Sequence, residues 1–310
     1  MTIKSAQEAP MNPFQQLITA CENDPRQLRD AYEKHRTNRN AQFKERLLNP
    51  AFREWQFDEI LHNVLKAEKG LIDYTDPRHN LGFWTRPPRH IQELVSDIQR
   101  EIAAVSGSCL WFMPPQNLHM TTLEMVSAKT APDVDEVAAF LRANAPLQEL
   151  VNYTLTHRAR LGRPIVSYDA SALALSFLPI LEETEKTANA VNGTYSYHHL
   201  RSDLYDRVTQ SGCQIGARYS VPSAHITIAR FVVPIGSTHE EELAVLGERV
   251  VKLVERLEDI NQELRSDEWK RFGSPSRGEW TVGQERGLEL NKGVAWYGTG
   301  EKLLIGQGIL

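Results

Sequence analysis

The sequence has few cysteines, no long hydrophobic run and no secretory signal at its start. Its three cysteines form no CxxC pair, so neither a disulfide framework nor a cysteine zinc site is expected. No stretch has the length and apolarity of a membrane helix, and the first 14 residues lack the apolar run of a signal peptide. We therefore expect a protein of a reducing intracellular compartment, most simply the cytoplasm with the nucleus left open, that does not contact a membrane.

Motifs of several large enzyme classes are missing as well. The chain contains no GxxxxGK[ST], GxGxxG or GxSxG pattern, so P-loop NTPases, dinucleotide enzymes and elbow-type serine hydrolases have no support. The net charge of −5 argues against a protein that coats nucleic acid, because such proteins carry a basic excess. A small nucleotide or a short RNA end remains compatible with this charge.

Polarity and periodicity divide the 310 residues into three parts. Residues 1–13 are polar, contain two prolines and are expected to be disordered. Residues 14–70 are predicted to be a helical extension packed on the main body, with one helix starting at Asp24 and a second over about 52–69. Residues 71–310 carry alternating strand and helix patterns and form the main domain.

Within the main domain the order strand, helix, strand occurs twice. Apolar residues at helical spacing predict helices over 90–105, 133–143, 198–211 and 239–265. Apolar or β-branched runs predict strands over 81–85, 109–113, 118–126, 149–156, 165–168, 172–178, 224–233, 280–282, 293–298 and 302–306. These elements fit two packed lobes. His198, at the start of a predicted helix and without a carboxylate at metal spacing, is expected to face solvent.

Two short segments of the main domain are alike, His119-Met120-Thr121 and His225-Ile226-Thr227. Side chains alternate between the two faces of a strand, so in each segment the histidine and the threonine share one face. Two such strands side by side would offer two imidazoles and two hydroxyls to one cleft. That set suits phosphate chemistry, because one imidazole takes a proton, the other gives one, and the hydroxyls hold phosphoryl oxygens.

These two motifs resemble the paired HxT/S motifs of the 2H phosphoesterase superfamily. The resemblance extends over the order of elements from about residue 75 to the end and leaves out the N-terminal helical block. It implies an α+β, bilobal, pseudo-symmetric fold in which two antiparallel sheets face a central cleft with helices outside. It also implies a hydrolase without metal or cofactor that opens 2′,3′-cyclic phosphates of nucleotides or RNA ends.

The resemblance also implies roles for the residues of the two motifs. His119 and His225 would act as general acid and base, and Thr121 and Thr227 would donate hydrogen bonds to non-bridging phosphate oxygens. Free imidazole titrates near 6.5, which allows two such groups to hold opposite protonation states near neutrality. The sequence leaves open which histidine is the acid.

Four residues near the motifs are candidates for further substrate contacts. Tyr219, Trp84 and Phe231 could stack on a base, with Tyr219 ranked first, although aromatic residues at such spacing are more often part of the core. Arg230 follows Thr227 by an odd offset, which on a regular strand places it on the opposite face. A salt bridge and a phosphate contact are therefore equally supported for Arg230.

Other functions stay open at this point. A protein of the same fold could bind nucleotides or RNA without turnover, or process 2′–5′ oligonucleotides or RNA 3′ ends. A zinc site using both histidines lacks an obvious third ligand. An enzyme that uses the same cleft for a different ligand is also compatible with this fold. The expected partner is a nucleotide or short RNA substrate, and the protein is expected to be a monomer.

Overall fold

A computed structural model describes residues 12–180, 195–216 and 220–309 of the chain. Its helices are α1 Pro13–Ala20, α2 Pro25–Leu47, α3 Glu59–Glu68, α4 Arg89–Ser106, α5 Ala131–Asn144, α6 Leu147–Val151, α7 Tyr197–Gln210 and α8 His239–Arg265. Short 3-10 helices span Pro115–Asn117, Tyr153–Leu155 and Pro275–Gly278. Its strands are β1 His79–Thr85, β2 Leu110–Phe112, β3 Met120–Lys129, β4 Arg160–Tyr168, β5 Ala172–Ile180, β6 Ala224–Phe231, β7 Trp280–Thr281, β8 Arg286–Gly293 and β9 Glu301–Gln307.

The strands of the described ranges form two antiparallel sheets. Sheet A has the order β3-β1-β8-β9, and sheet B has the order β2-β6-β5-β4-β7. The expected α+β fold with two antiparallel sheets and flanking helices is therefore confirmed. Strand β2 follows α4 in the first of the two strand–helix–strand units but pairs with β6 of the second, so sheet B contains strands of both units.

Helices α4 and α8 cover one face of sheet B, as their apolar periodicity predicts. The α4 side chains Ile91, Leu94, Val95, Ile98 and Ile102 are all fully buried, and α4 packs on α8, β2 and β6. Burial of each such side chain contributes about 1.5–3 kcal/mol. In the part of the chain that is described, no helix combines the length and apolarity needed to cross a bilayer.

Helix α2 of the N-terminal extension lies against β4 and β5 of sheet B. Buried polar side chains attach it. Arg36 donates from Nη1 to the carbonyl oxygens of Arg163 at 2.7 Å and Ser176 at 3.0 Å. The Asn40 side-chain amide donates to the Val166 carbonyl at 2.9 Å. Asp24 caps the start of α2 as predicted, by accepting a hydrogen bond from the Arg26 amide.

His198 is fully buried, so the expectation that it faces solvent is wrong. Helices α1 and α2 cover it. Its Nε2 hydrogen bonds to the Phe14 carbonyl oxygen at 3.0 Å, and its Nδ1 hydrogen bonds to the Tyr32 hydroxyl at 2.9 Å. Burial, followed by the charge of Arg201, lowers the pKa of His198 to about 4.

Three predicted elements differ from the structure. Residues 149–156 are helical instead of extended, since Leu147, Leu150 and Val151 have the spacing of one helix face. The helix predicted over 52–69 begins only at Glu59, because the preceding backbone pairs with sheet B through the Gln56 and Asp58 amides. The strand predicted over 293–298 is wrong, because strand β8 covers Arg286–Gly293 and residues 294–300 form the connection to β9.

The burial of His198 predicts acid sensitivity of the fold. Its folded-state pKa of about 4 lies below the ordinary value of 6.5, so between these values the unfolded chain binds more protons. The stability contributed by neutral His198 is complete above pH 6.5 and is lost as the pH falls through this window, with roughly 2 kcal/mol lost at pH 5. We expect His198→Gln to flatten the pH dependence of the unfolding free energy between pH 5 and 7, measured by urea denaturation.

The matched control is His239→Gln, because His239 is an exposed histidine at the start of α8. This variant should keep the pH slope of the unmodified protein. An unchanged slope in His198→Gln would show that His198 does not account for the acid sensitivity.

Candidate functional site

The two histidine motifs lie where sheets A and B approach each other. His119 immediately precedes β3, at the edge of sheet A, and His225 is on β6 in sheet B. Residues of β3 and β6 come within 8 Å of each other, measured between Cα atoms. His119, Thr121, His225 and Thr227 are all half-buried, whereas Ile226 is fully buried. The structure thus brings together the four motif residues that the sequence singles out.

The His119 ring is held on two sides. Its Nδ1 lies 2.8 Å from the carbonyl oxygen of Asn117, to which it can donate. Trp84 stacks on the ring, with 4.0 Å between ring centroids and 21° between planes. A neutral imidazole that donates from Nδ1 presents Nε2 as a proton acceptor. Trp84 therefore supports a histidine and is itself buried, which differs from the expected stacking on a base.

A buried ion pair between Arg86 and Glu289 supports the stacked rings of Trp84 and His119. The Arg86 guanidinium lies 5.1 Å from the centre of the Trp84 ring, on which His119 stacks. Its Nε donates to Glu289 at 2.8 Å, and Nη1 donates to the Leu118 carbonyl at 3.3 Å. Glu289 is fully buried, so its charge depends on Arg86. The pair fixes the backbone that leads into His119.

Gly298 allows the connection between β8 and β9 to come close to the backbone of Asn117, just before His119. Its φ is +78°, and a Cβ there would lie 2.0 Å from the Asn117 carbonyl oxygen. That oxygen is the hydrogen-bond partner of His119. Only glycine satisfies both the backbone angle and the close approach. Gly300 of the same connection also has a positive φ, of +99°.

His225 is held by the turn that precedes β6. The Ser223 hydroxyl contacts His225 Nδ1 at 2.9 Å. Arg201 of α7 donates to the Val221 carbonyl in the same turn at 2.9 Å and to the Thr122 carbonyl of β3 at 3.2 Å. One buried guanidinium therefore ties the second motif to the first.

The pKa values of both imidazoles are lowered to about 4. Burial is the largest cause in each case. For His119 the hydrogen bond with Asn117 opposes this shift, and repulsion of the imidazolium by Arg86, His225 and Arg230 adds to it. For His225 repulsion by Arg201, Arg39, His35 and Arg230 adds to it. Two consequences follow. The imidazoles lie within electrostatic reach of each other, and the surroundings of both favour an added negative charge.

A cavity of about 410 Å³ borders the second motif. This volume is within the range of about 300–1,000 Å³ typical of small-molecule sites. Most of its lining residues come from three elements, with His225, Thr227 and Arg230 on β6, Ala172, Ala174 and Ser176 on β5, and His35, Arg36 and Arg39 on α2. Ser167 and Tyr168 of β4 line it as well. Asp169 is the one acidic side chain among the lining residues that the structure describes.

Arg230 lines the same cavity as His225 and Thr227, so the odd-offset prediction of an opposite face is wrong. Between Leu173 and Ala174 of β5 the register with β6 shifts, and β6 contains one extra residue, Ile228. This bulge reverses the alternation of side chains after Thr227. Arg230 also lies 3.5 Å from a carboxylate oxygen of Asp58, so it makes an ion pair as well.

The aromatic candidates have different positions. Phe231 is buried and packs on Trp55 with 4.8 Å between ring centroids, so it is a core residue. Tyr219 lies outside the described residues. Trp296, which the sequence analysis did not select, lines the cavity from the connection between β8 and β9. Its indole nitrogen is buried without a hydrogen-bond acceptor among the described residues, which suits a ligand that supplies one.

Sequence reasoning also missed the contribution of α2. The buried residues Leu28, Tyr32, Arg36 and Asn40 recur every four positions, so this spacing along one helix face, which changes from apolar to polar residues, was the available signal. The topology that turns this stripe toward sheet B was not visible in the sequence. In residues 12–180, 195–216 and 220–309, no three histidine, cysteine, aspartate or glutamate side chains form a metal-binding group.

The lowered pKa values are directly measurable. We expect two-bond ¹H–¹⁵N correlation spectra to show both His119 and His225 titrating near pH 4. Inorganic phosphate should raise at least one of these two pKa values, because an adjacent anion favours the imidazolium. Titration of both rings near 6.5, with no response to phosphate, would mean that the cationic surroundings do not act on the imidazoles.

Neither a comparison with models of protein families nor a comparison with curated proteins returns a match to this chain. Its resemblance to the 2H phosphoesterases therefore rests on the two HxT motifs and the order of elements. The geometry and electrostatics of the site are the basis for inferring a function.

Proposed function

We propose that this protein is a metal-independent phosphodiesterase that hydrolyses 2′,3′-cyclic phosphates of nucleotides or of RNA ends. The observation that supports this most is that the imidazoles of the two HxT motifs lie within electrostatic reach of each other, with a cavity rich in guanidinium groups beside His225. Histidine pairs are suited to paired proton transfer. Arginine and threonine donors are suited to the oxygens of a phosphate.

In the proposed reaction one imidazole removes a proton from water as the water oxygen attacks phosphorus. The P–O bond to one ribose oxygen breaks, and the second histidine, protonated, gives its proton to that oxygen. The product is a nucleoside 2′- or 3′-monophosphate. The Nδ1 contact of His119 with the Asn117 carbonyl leaves Nε2 as its basic nitrogen in the neutral state. The contact of His225 with a serine hydroxyl is compatible with either tautomer.

Substrate binding would prepare the acid in this mechanism. In the absence of an anion both histidines are neutral at pH 7, because their pKa values are about 4. A phosphodiester anion between them raises the pKa of each imidazole, since opposite charge stabilises the protonated form. One of the two can then take up a proton, while the other stays a base because a second imidazolium would be repelled.

The remaining residues of the proposed site act on the phosphate oxygens. Thr121 and Thr227 would donate to non-bridging oxygens as charge develops, as the HxT resemblance implies. Arg230 lines the cavity beside Thr227, and its Nε is buried without an acceptor among the described residues. An oxyanion donor of this kind contributes roughly 10²–10³-fold in rate.

We expect His119→Ala and His225→Ala each to lower kcat on nucleoside 2′,3′-cyclic phosphates by roughly 10²–10⁴-fold, since each removes one proton-transfer group. The assay is chromatographic detection of the monophosphate product. EDTA should leave the activity of the unmodified protein largely intact. His239→Ala, at an exposed position on α8, is the control for substitution of a histidine.

Full activity in both variants would refute the proposal. If the unmodified protein binds cyclic or linear nucleotides but yields no product, the alternative of a nucleotide-binding protein replaces it. Circular dichroism of each variant separates loss of chemistry from loss of folding.

Trp296 is expected to contribute to binding of the base. Stacking of a base on an aromatic ring is worth about 1–3 kcal/mol, or roughly 5–150-fold in affinity. Trp296→Leu should therefore raise KM by about 10-fold or more with little change in kcat, and Trp296→Phe should retain part of the effect. Equal steady-state constants for Trp296→Leu and the unmodified protein would exclude a stacking role.

A further inference from the structure

The N-terminal extension forms part of the cavity wall, although it lies outside the region that resembles the 2H phosphoesterases. His35 and Arg39 of α2 line the cavity that also borders His225 and Thr227. They are four residues apart and so share one face of the helix. The same helix is anchored to sheet B through Arg36 and Asn40. The position of its cationic face is therefore fixed by buried contacts.

The space between α2 and sheet B is created by small side chains on β5. Ala172, Ala174 and Ser176 face the cavity, whereas Leu173 and Leu175 are buried in the core. In the β5–β6 register, Ser176 pairs with His225 and Ala174 pairs with Thr227. The sheet therefore leaves room beside the second motif on the side that α2 covers.

Arg39 is held in position by an ion pair but retains N–H donors that can bind a ligand. It forms an ion pair with Asp169, and its side chain is 45% exposed. A guanidinium has five N–H donors, so one edge can hold a carboxylate while other donors reach a phosphate. Asp169 is in turn held by the backbone amides of Ser171 and Ala172 and by the Ser171 hydroxyl.

The cavity has more guanidinium groups than one phosphodiester requires. Its described lining contains three of them, on Arg36, Arg39 and Arg230, against the carboxylate of Asp169 alone. Arg36 is used to anchor α2 and pairs with Glu33. Arg230 pairs weakly with Asp58, at 3.5 Å. Arg39 thus adds positive charge at a different wall of the cavity from the residues of the two motifs.

We propose that His35 and Arg39 form a second phosphate subsite, which binds the phosphate on the 5′ side of the nucleotide whose cyclic phosphate lies between His119 and His225. This inference rests on the proposed function for the identity of the first phosphate. The 5′ phosphate is a monoester in a mononucleotide and a diester in a short RNA, and both present oxygens to the same donors. The substrate class is then a nucleotide or RNA end with two phosphates, in preference to a plain cyclic nucleotide.

The subsite can be tested by binding, independently of turnover. Isothermal titration of the full chain compares adenosine 3′-monophosphate with adenosine 3′,5′-bisphosphate. We expect the bisphosphate to bind the unmodified protein about 10-fold or more tightly, because an arginine–phosphate contact is charge-assisted. In Arg39→Met this preference should fall to about 3-fold or less. Arg26→Met, which changes an exposed arginine of the same helix outside the cavity, should keep it.

Equal affinities of the unmodified protein for the two ligands, no binding of either, or a preference that persists in Arg39→Met would overturn the subsite. Turnover separates this result from the proposed function. A preference for the bisphosphate without hydrolysis of any cyclic phosphate would support the subsite and refute the proposed enzymatic function. Hydrolysis without that preference would support the enzymatic function and refute the subsite. Comparing 5′-phosphorylated adenosine 2′,3′-cyclic phosphate with the corresponding dinucleotide distinguishes the monoester from the diester.

Discussion

The close approach of β3 and β6 is the constraint on which the candidate site depends. These strands belong to different sheets, so no ladder of backbone hydrogen bonds joins the two motifs. Helix α7 supplies the connection, because the Tyr197 hydroxyl donates to the Thr121 carbonyl at 3.0 Å and Arg201 bonds to the backbone on both sides. These buried side chains of α7 hold the distance between the two histidine strands, and the proposed chemistry depends on that distance.

The electrostatics of this junction distinguish it from an ordinary core. A core histidine such as His198 is satisfied by protein partners on both ring nitrogens. The histidines of the two motifs, in addition, lie among guanidinium groups that disfavour their protonation. An anion bound in the cleft would offset the positive potential that disfavours the imidazolium, so anion binding and proton uptake are coupled. The overall charge of −5 therefore gives no guide to the local site, which is cationic.

The sequence predicted what depends on local pattern and missed what depends on tertiary contacts. Helices α4 and α8 were predictable because their apolar residues recur at helical spacing, and the motif residues were identified by alternation along a strand. The side of the sheet on which Arg230 lies was not predictable, because a single extra residue at Ile228 reverses that alternation. The contributions of Trp296 and of Arg39 depend on chain segments that are distant in sequence and meet only in the fold.

In the proposed function one phosphate group is held between two imidazoles while α2 closes the side of the cavity. A crystal structure of the protein with adenosine 3′-monophosphate tests it most directly. The account predicts phosphate oxygens within hydrogen-bond distance of both His119 and His225, with the nucleoside in the cavity lined by Trp296 and α2. A nucleotide bound elsewhere, or two rings too far apart for one phosphate to reach both, would contradict it.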